Sequence, residues 1–413
     1  MALMNQEAGK AIEDGIAEVR EAVDFCRYYA SHMESAGEAA RLPGPDGELN
    51  RLYYEPRGLF ACISPWNFPV AIFTGQVVAA LVAGNAVIAK PAEQTPLVAK
   101  FIESLALRAG IPEYTLQVLP GDGESTGATL VNHEGIDGVV FTGSVETARA
   151  INQSLAKRNG PIVPLIAETG GQNAMIVDSS ALPEQVVKDV MTSAFNACGQ
   201  RCSALRVLYL QESCADTIIE LLAGAMQELV VGRPWELSTD VGPVIDEAAL
   251  AGLQDHVNEL EQIGRFVART PLPEQLDRGN WFAPCCYEID SISQLRKEHF
   301  GPILHVIRYD MGELDKAIDE INAAGFGLTF GIHSRNEDLV DRLVSRVSAG
   351  NIYINRNMIG AVVGTQPFGG RGLSGTGPKA GGPNYLQRFM LEKCRTDNLA
   401  AIGGAIDLIG QQS

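Results

Sequence analysis

Several places in the sequence hold side chains able to do chemistry on a carbonyl carbon. Cys202, in Asn196-Ala197-Cys198-Gly199-Gln200-Arg201-Cys202-Ser203, stands at a break between a predicted helix and a predicted strand. A thiol there projects into a cleft, and Arg201 or nearby backbone amides would favour the nucleophilic thiolate. Cysteines are also common small core residues, and Cys198, nearer the helix, is read as packed. Glu168 closes an apolar strand and is followed by Thr169-Gly170-Gly171. Burial raises the pKa of such a carboxylate, and the glycines let it swing toward a reaction centre as a base; the alternative is a capping or ion-paired glutamate. Asn67, between Pro65 and Pro69, offers an amide N–H to a developing oxyanion or merely braces its turn.

A further set suits a nucleotide. Lys90 and Glu93 follow a strand and are placed to grip ribose hydroxyls, unless they form only a solvated helix start. Gly121, Gly123 and Gly127 follow another strand, and Phe141-Thr142-Gly143-Ser144 opens a helix whose free amides suit a phosphate. The second glycine of the usual dinucleotide fingerprint is missing; Ala148 stands near its place.

The elements that must position these residues follow from punctuation and periodicity. Gly58 to Ala89 contains no charged residue over 32 positions, long enough for a membrane span. Pro65, Pro69 and Gly84-Asn85 instead divide it into strand 58–64, helix 70–84 and strand 85–90, a βαβ unit buried on both faces. The rhythm continues with helix 95–110, strand 114–121, helix 123–133, strand 135–143, helix 144–160 and strand 160–168. This predicts a doubly wound, mostly parallel sheet with Ser64, Lys90, Gly121, Thr142 and Glu168 at its carboxyl ends. A second α/β run follows, with strand 172–178, helix 183–197, strand 205–211, a helix near 215–229 and an amphipathic segment 313–323. Pro367 to Pro383 is too glycine-rich for either regular element and suits loops whose amides face a ligand. An amphipathic helix, 11–30, and a strand, 49–57, precede the first unit.

The chain has 413 residues, 46% of them hydrophobic and 20% charged, which predicts a folded protein of two to three domains. Its formal charge of −18 opposes binding to nucleic acid or anionic lipid, and no membrane insertion is expected. Eight cysteines are too sparse for a disulfide scaffold, and the N-terminal stretch carries no signal or transit pattern, so a cytoplasmic location is expected. No zinc-like spacing surrounds Cys285-Cys286, and no metal is expected.

Asn67, Lys90, Ser144, Glu168, Cys202, Glu298-His299-Phe300-Gly301-Pro302 and Pro367-Phe368-Gly369-Gly370 occur in one order. In that order the chain resembles the aldehyde dehydrogenase superfamily from about Gly58 to Lys393. Within it, Arg201-Cys202-Ser203, the loop Ser374 to Pro383 and the early helix make it similar to the 1-pyrroline-5-carboxylate (L-glutamate γ-semialdehyde) dehydrogenases. The likeness extends to the dehydrogenase part of bacterial proline utilisation A.

The resemblance implies an α/β fold with a Rossmann-type cofactor lobe (1–36 and 57–169), an α/β catalytic lobe (170–385), a small β oligomerisation element (37–56 and 386–398) and a tail (399–413). It implies oxidation of the semialdehyde to glutamate in proline catabolism. Cys202 would form a thiohemiacetal and then a thioester, Asn67 would donate to the oxyanion, and Glu168 would activate water. NAD would be held by Ser64, Lys90, Glu93, Gly123, Gly127, Thr142, Gly143, Ser144, Gly170, Glu298 and Phe300, with Glu93 repelling a 2′-phosphate. The substrate would be held by Ser203, Gly381, Gly382 and Phe368, with Glu21 facing its amino group. A homo-oligomer is expected, as is coupling to a proline dehydrogenase. Relatives are expected to carry on the order of 100 more residues, a domain's worth, before the first helix, so the chain is expected to be a fragment or an unusually short relative. Other readings are the same chemistry on succinic semialdehyde, a cysteine esterase or acyltransferase, and a noncatalytic nucleotide-binding module.

Overall fold

The computed structural model describes residues 1–276, 278–399 and 401; the expected tail at 399–413 otherwise lies outside them. The charge-free run folds as a strand Leu59–Ile63, a helix Ala71–Val82 and a strand Ala86–Lys90, the two strands pairing in parallel. These strands belong to a five-stranded parallel sheet in the order Leu116–Val118, Ala86–Lys90, Leu59–Ile63, Gly138–Gly143, Leu165–Thr169. The chain runs outward from Leu59–Ile63 in both directions, and at such a switch point the carboxyl ends leave a crevice. The last strand is shorter than predicted and begins at Leu165; Pro161 and Pro164 have no N–H to give a ladder.

The second sheet has seven strands, in the order Arg265–Arg269, Cys285–Glu288, Ile303–Tyr309, Leu205–Gln211, Asn173–Val177, Thr329–His333, Asn351–Ile354. All pairs are parallel except that of Arg265–Arg269. Its central strands are buried except at Gln211, and the largest apolar cluster surrounds them. A third, antiparallel sheet joins Glu48–Pro56 to Ala40–Leu42 and to Met390–Asn398. No helix among the described residues is long and apolar enough to cross a membrane.

The two large sheets supply the same cavities from opposite strand ends. The five-stranded sheet delivers residues at or just beyond the carboxyl ends of its strands, as with Ser64, Lys90 and Glu168, whereas the seven-stranded sheet delivers residues before its strands. Cys202 precedes Leu205–Gln211, and Glu298 and Phe300 precede Ile303–Tyr309.

Helix boundaries differ from the sequence prediction at two functional places. The early helix spans Ile12–Ala36, with a short helix Ala2–Ala8 before it. The helix after Pro183 stops at Phe195, because Ala197 and Cys198 adopt left-handed angles, φ 52° and 57°. Two non-glycine residues there cost about 1 kcal/mol each and persist only where tertiary contacts over-determine them.

Candidate active site

The left-handed turn is what presents Cys202. It ends at Gly199, where an added Cβ would lie 2.4 Å from the Gly301 carbonyl oxygen, so only glycine lets the two loops approach this closely. Beyond it, Asn67 Nδ2 donates to the Gln200 carbonyl at 3.0 Å. Asn173 Nδ2 donates to the carbonyls of Cys202 and Ala204 at 2.7 and 2.9 Å. Asn67 is itself set by the start of helix Ala71–Val82, whose Val70 and Ala71 amides donate to the buried Glu18 carboxylate at 2.7 and 3.1 Å. Lys10 pairs with Glu18 at 2.8 Å.

Two cavities meet at the nucleophile turn, and Cys202, Ile72, Thr142 and Thr169 line both. One, of about 400 Å³, runs along the early helix and includes Glu21, Phe68, Glu168, Ser203 and Phe368. The other, of about 890 Å³, includes Trp66, Asn67, Gly143, Ser144, Gly170, Glu298 and Phe300.

The electrostatics invert one expectation from the sequence. Burial, with Glu298 and Glu168 nearby, pushes the Cys202 thiol up to about 12. Arg201, expected to favour thiolate, is committed to Asp14 at 2.7 Å, so burial outweighs it. Glu168 is pushed up to about 8 by burial, against weaker opposing effects of the Gly370 amide and Lys379. Its Oε2 accepts from Gly370 N at 3.3 Å and its Oε1 has no partner among the described residues. Glu21 rises to about 7, through burial and then Glu18.

The glycines expected to hold a substrate carboxylate lie apart from the two cavities. Gly381 donates its amide to the Tyr29 hydroxyl at 2.8 Å, and neither it nor Gly382 lines either cavity. Gly382 is packed against Pro367, where a Cβ would lie 2.9 Å from the ring. The segment Ile359 to Val363 does line the first cavity, and the Gly360 and Ala361 amides within it donate to no group among the described residues. Nothing in Met358-Ile359-Gly360-Ala361 marks these positions in the sequence.

At the other end, Lys90 is buried and donates to the Pro91 carbonyl at 3.0 Å, while Glu93 accepts from Gly123 N at 3.1 Å. A Cβ added at Gly127 would lie 3.5 Å from the Lys90 stem. These four residues form one cluster, outside the lining of both cavities. Ser64 N donates to the Lys90 carbonyl at 3.1 Å, Thr142 accepts from Gln76 at 2.9 Å, and Ser144 caps the helix Val145–Lys157.

Residues 1–394 match the aldehyde dehydrogenase family. The chain belongs to the aldehyde dehydrogenase family. It is 51% identical over 398 residues to the bifunctional protein PutA of Klebsiella aerogenes, covering 94% of this chain and 29% of that protein. It is 36% identical to the 1-pyrroline-5-carboxylate dehydrogenase of Geobacillus sp., covering 95% of this chain and 76% of the relative. Among solved structures, proline utilization A from Bradyrhizobium japonicum superposes with a TM-score of 0.95 at 54% identity, over 97% of this chain and 41% of the other. The chain therefore spans less than a third of the bifunctional relative from Klebsiella.

Aldehyde dehydrogenases use NAD(P), and the residues here fit such a group. Gly170 leaves room for Glu298, whose Oε2 lies 1.7 Å from where a Cβ would be. A carboxylate at the cavity wall, an ammonium and a carboxylate at a strand end, and the open amides of a capped helix together suit ribose hydroxyls and a diphosphate.

Sequence reading passed over three parts of this aldehyde dehydrogenase site. Trp66 stands edge-on to Phe300, ring centroids 5.6 Å apart. Asn173 and Arg206 brace the backbone around Cys202 from within apolar strands, where a lone polar residue was the available signal.

Proposed function

We propose that the chain oxidises L-glutamate γ-semialdehyde, the open form of 1-pyrroline-5-carboxylate, to L-glutamate, with NAD+ as the oxidant and one water consumed. The observation that carries this reading is the meeting of two cavities at Cys202, one with dinucleotide-type groups, the other with free amides and acidic side chains.

The Cys202 sulfur would bond to the aldehyde carbon as the thiol proton passes to water and the carbonyl π pair moves onto oxygen. The oxyanion formed there needs donors: Asn67 has a second amide N–H besides the one given to Gln200, and the Cys202 backbone N–H has no partner among the described residues. When bound, NAD+ would take up the two electrons released as the adduct becomes a thioester. Glu168, turned onto Gly370, would ionise and swing to take a proton from the water that cleaves the thioester. The substrate's α-carboxylate would sit on the Ser203 hydroxyl and the Gly360 and Ala361 amides. Its ammonium would face Glu21, a carboxyl that an incoming cation would hold ionised.

Lys90 and Glu93 would hold the adenosine ribose, and Glu93 would repel a 2′-phosphate, favouring NAD+ over NADP+. Cytoplasmic location, assembly through the antiparallel sheet and coupling to a proline dehydrogenase belong to the same proposal. The relatives' names support the substrate choice.

NADH formation with 1-pyrroline-5-carboxylate, succinic semialdehyde and propanal tests the reading. The first should be preferred, and Cys202→Ala should abolish turnover while NAD+ still binds. Turnover of succinic semialdehyde alone would move the reading to another aldehyde, and ester cleavage without NAD+ as the sole activity would make the chain a hydrolase.

A further inference from the structure

Arg206 is the second residue of the buried strand Leu205–Gln211, 2% exposed, and its guanidinium is spent on the loops at the strand's start. Nη1 donates to the carbonyls of Gly199 at 2.7 Å and Gly301 at 3.0 Å. Nη2 donates to the Arg201 carbonyl and to Glu298 Oε1, both at 3.1 Å. The same guanidinium lies 5.3 Å from the Phe300 ring centroid. One side chain thus holds two carbonyls of the segment that presents Cys202 and also contacts the carboxylate and aromatic ring that line the cofactor-side cavity.

We infer that Arg206 is a positioning residue that locks the nucleophile turn and the Glu298–Gly301 loop into one frame, so that the placement of the dinucleotide and of the sulfur are set together. The inference rests on the dinucleotide reading above. Lysine keeps the charge but cannot place donors on four acceptors in a planar fork. A role in packing alone would be served by either residue once folded.

The decisive variant is Arg206→Lys, examined without turnover by two measurements. NAD+ affinity is read by quenching of tryptophan fluorescence, Trp66 lining the cavity. The rate of Cys202 alkylation by iodoacetamide is followed across a pH series without cofactor, so that a moved titration displaces the curve and a misplaced sulfur lowers it. Folded Arg206→Lys should bind NAD+ at least about tenfold more weakly and alkylate about fivefold more slowly, the scale of losing charge-assisted hydrogen bonds. Wild-type values for either measurement on folded protein would overturn the inference.

Should Arg206→Lys not fold, Arg206→Met with Glu298→Leu removes both buried charges together, a change that folds more readily than breaking one partner. It too should show the lowered alkylation curve, and a wild-type curve would overturn the inference. Because neither readout needs an aldehyde, a chain that forms no NADH with any substrate would defeat the proposed function while leaving this test intact.

Discussion

Replacing Glu168 by glutamine should separate the fold's need for a neutral side chain from the chemistry's need for a base. A carboxyl whose folded pKa stands above its unfolded value favours the folded state fully only below that unfolded value. The rise from 4.5 to about 8, at 1.36 kcal/mol per pH unit, sets an upper bound of roughly 5 kcal/mol. The contribution drains away as pH climbs from 4.5 and is gone above about 8. Because Glu168 is only half-buried and lines the first cavity, solvent screening reduces this to about 3 kcal/mol. Glutamine keeps the acceptor for Gly370 and never ionises, so Glu168→Gln should match wild type near pH 4.5 and exceed it increasingly up to about pH 8. Thermal unfolding of both proteins across that range measures the gap. In parallel, rapid mixing with aldehyde and NAD+ should show a burst of NADH near one equivalent followed by steady turnover slowed by about 10²- to 10⁴-fold, the span for loss of a general base. A stability gap that does not grow with pH would refute the assignment of a buried, proton-holding carboxyl. Steady turnover at the wild-type rate would refute its role as base.

Three other substitutions test separate parts of the site. Asn67→Ala should lower kcat by roughly 10²- to 10³-fold, the loss typical of one oxyanion donor, with NAD+ affinity measured by fluorescence little changed. Gly170→Ala forces a methyl group onto the Glu298 carboxylate, which Arg206 prevents from moving aside, and should weaken NAD+ binding by about tenfold, the scale of one charged hydrogen bond. Ala361→Pro deletes one of the free amides facing the first cavity. It should raise KM for glutamate semialdehyde by about tenfold, the loss of a hydrogen bond to a charged group, and leave KM for propanal near its original value, since propanal has no carboxylate to hold.

Particular residues show where the sequence was legible. Leu205 to Gln211 was readable as a strand because an apolar run bounded by turn residues has few other homes, and the structure gives the same bounds. Pro65, Pro69 and Gly84-Asn85 likewise divided the charge-free run nearly where the strands and helix divide. Pro183 gave the start of its helix, but the end at Phe195 was hidden, because nothing local asks Ala197 and Cys198 for left-handed angles; contacts with distant loops impose them. Most strands and helices between residues 240 and 354 carried no comparable punctuation and emerged only as partners in the seven-stranded sheet.

By itself the sequence determined the alternation of strands and helices, the family, and which side chains have the chemistry, since residue type and local periodicity are properties of neighbours along the chain. Tertiary structure alone decided which of those side chains share a cavity. It gave Arg201 to Asp14 and Arg206 to four partners, tied up the Gly381 amide on Tyr29 while leaving Gly360 and Ala361 free, and raised the Cys202 and Glu168 pKa values by burial. Desolvation and hydrogen-bond pairing depend on groups that meet only when the carboxyl ends of one sheet and the opening ends of the other supply the same cavities.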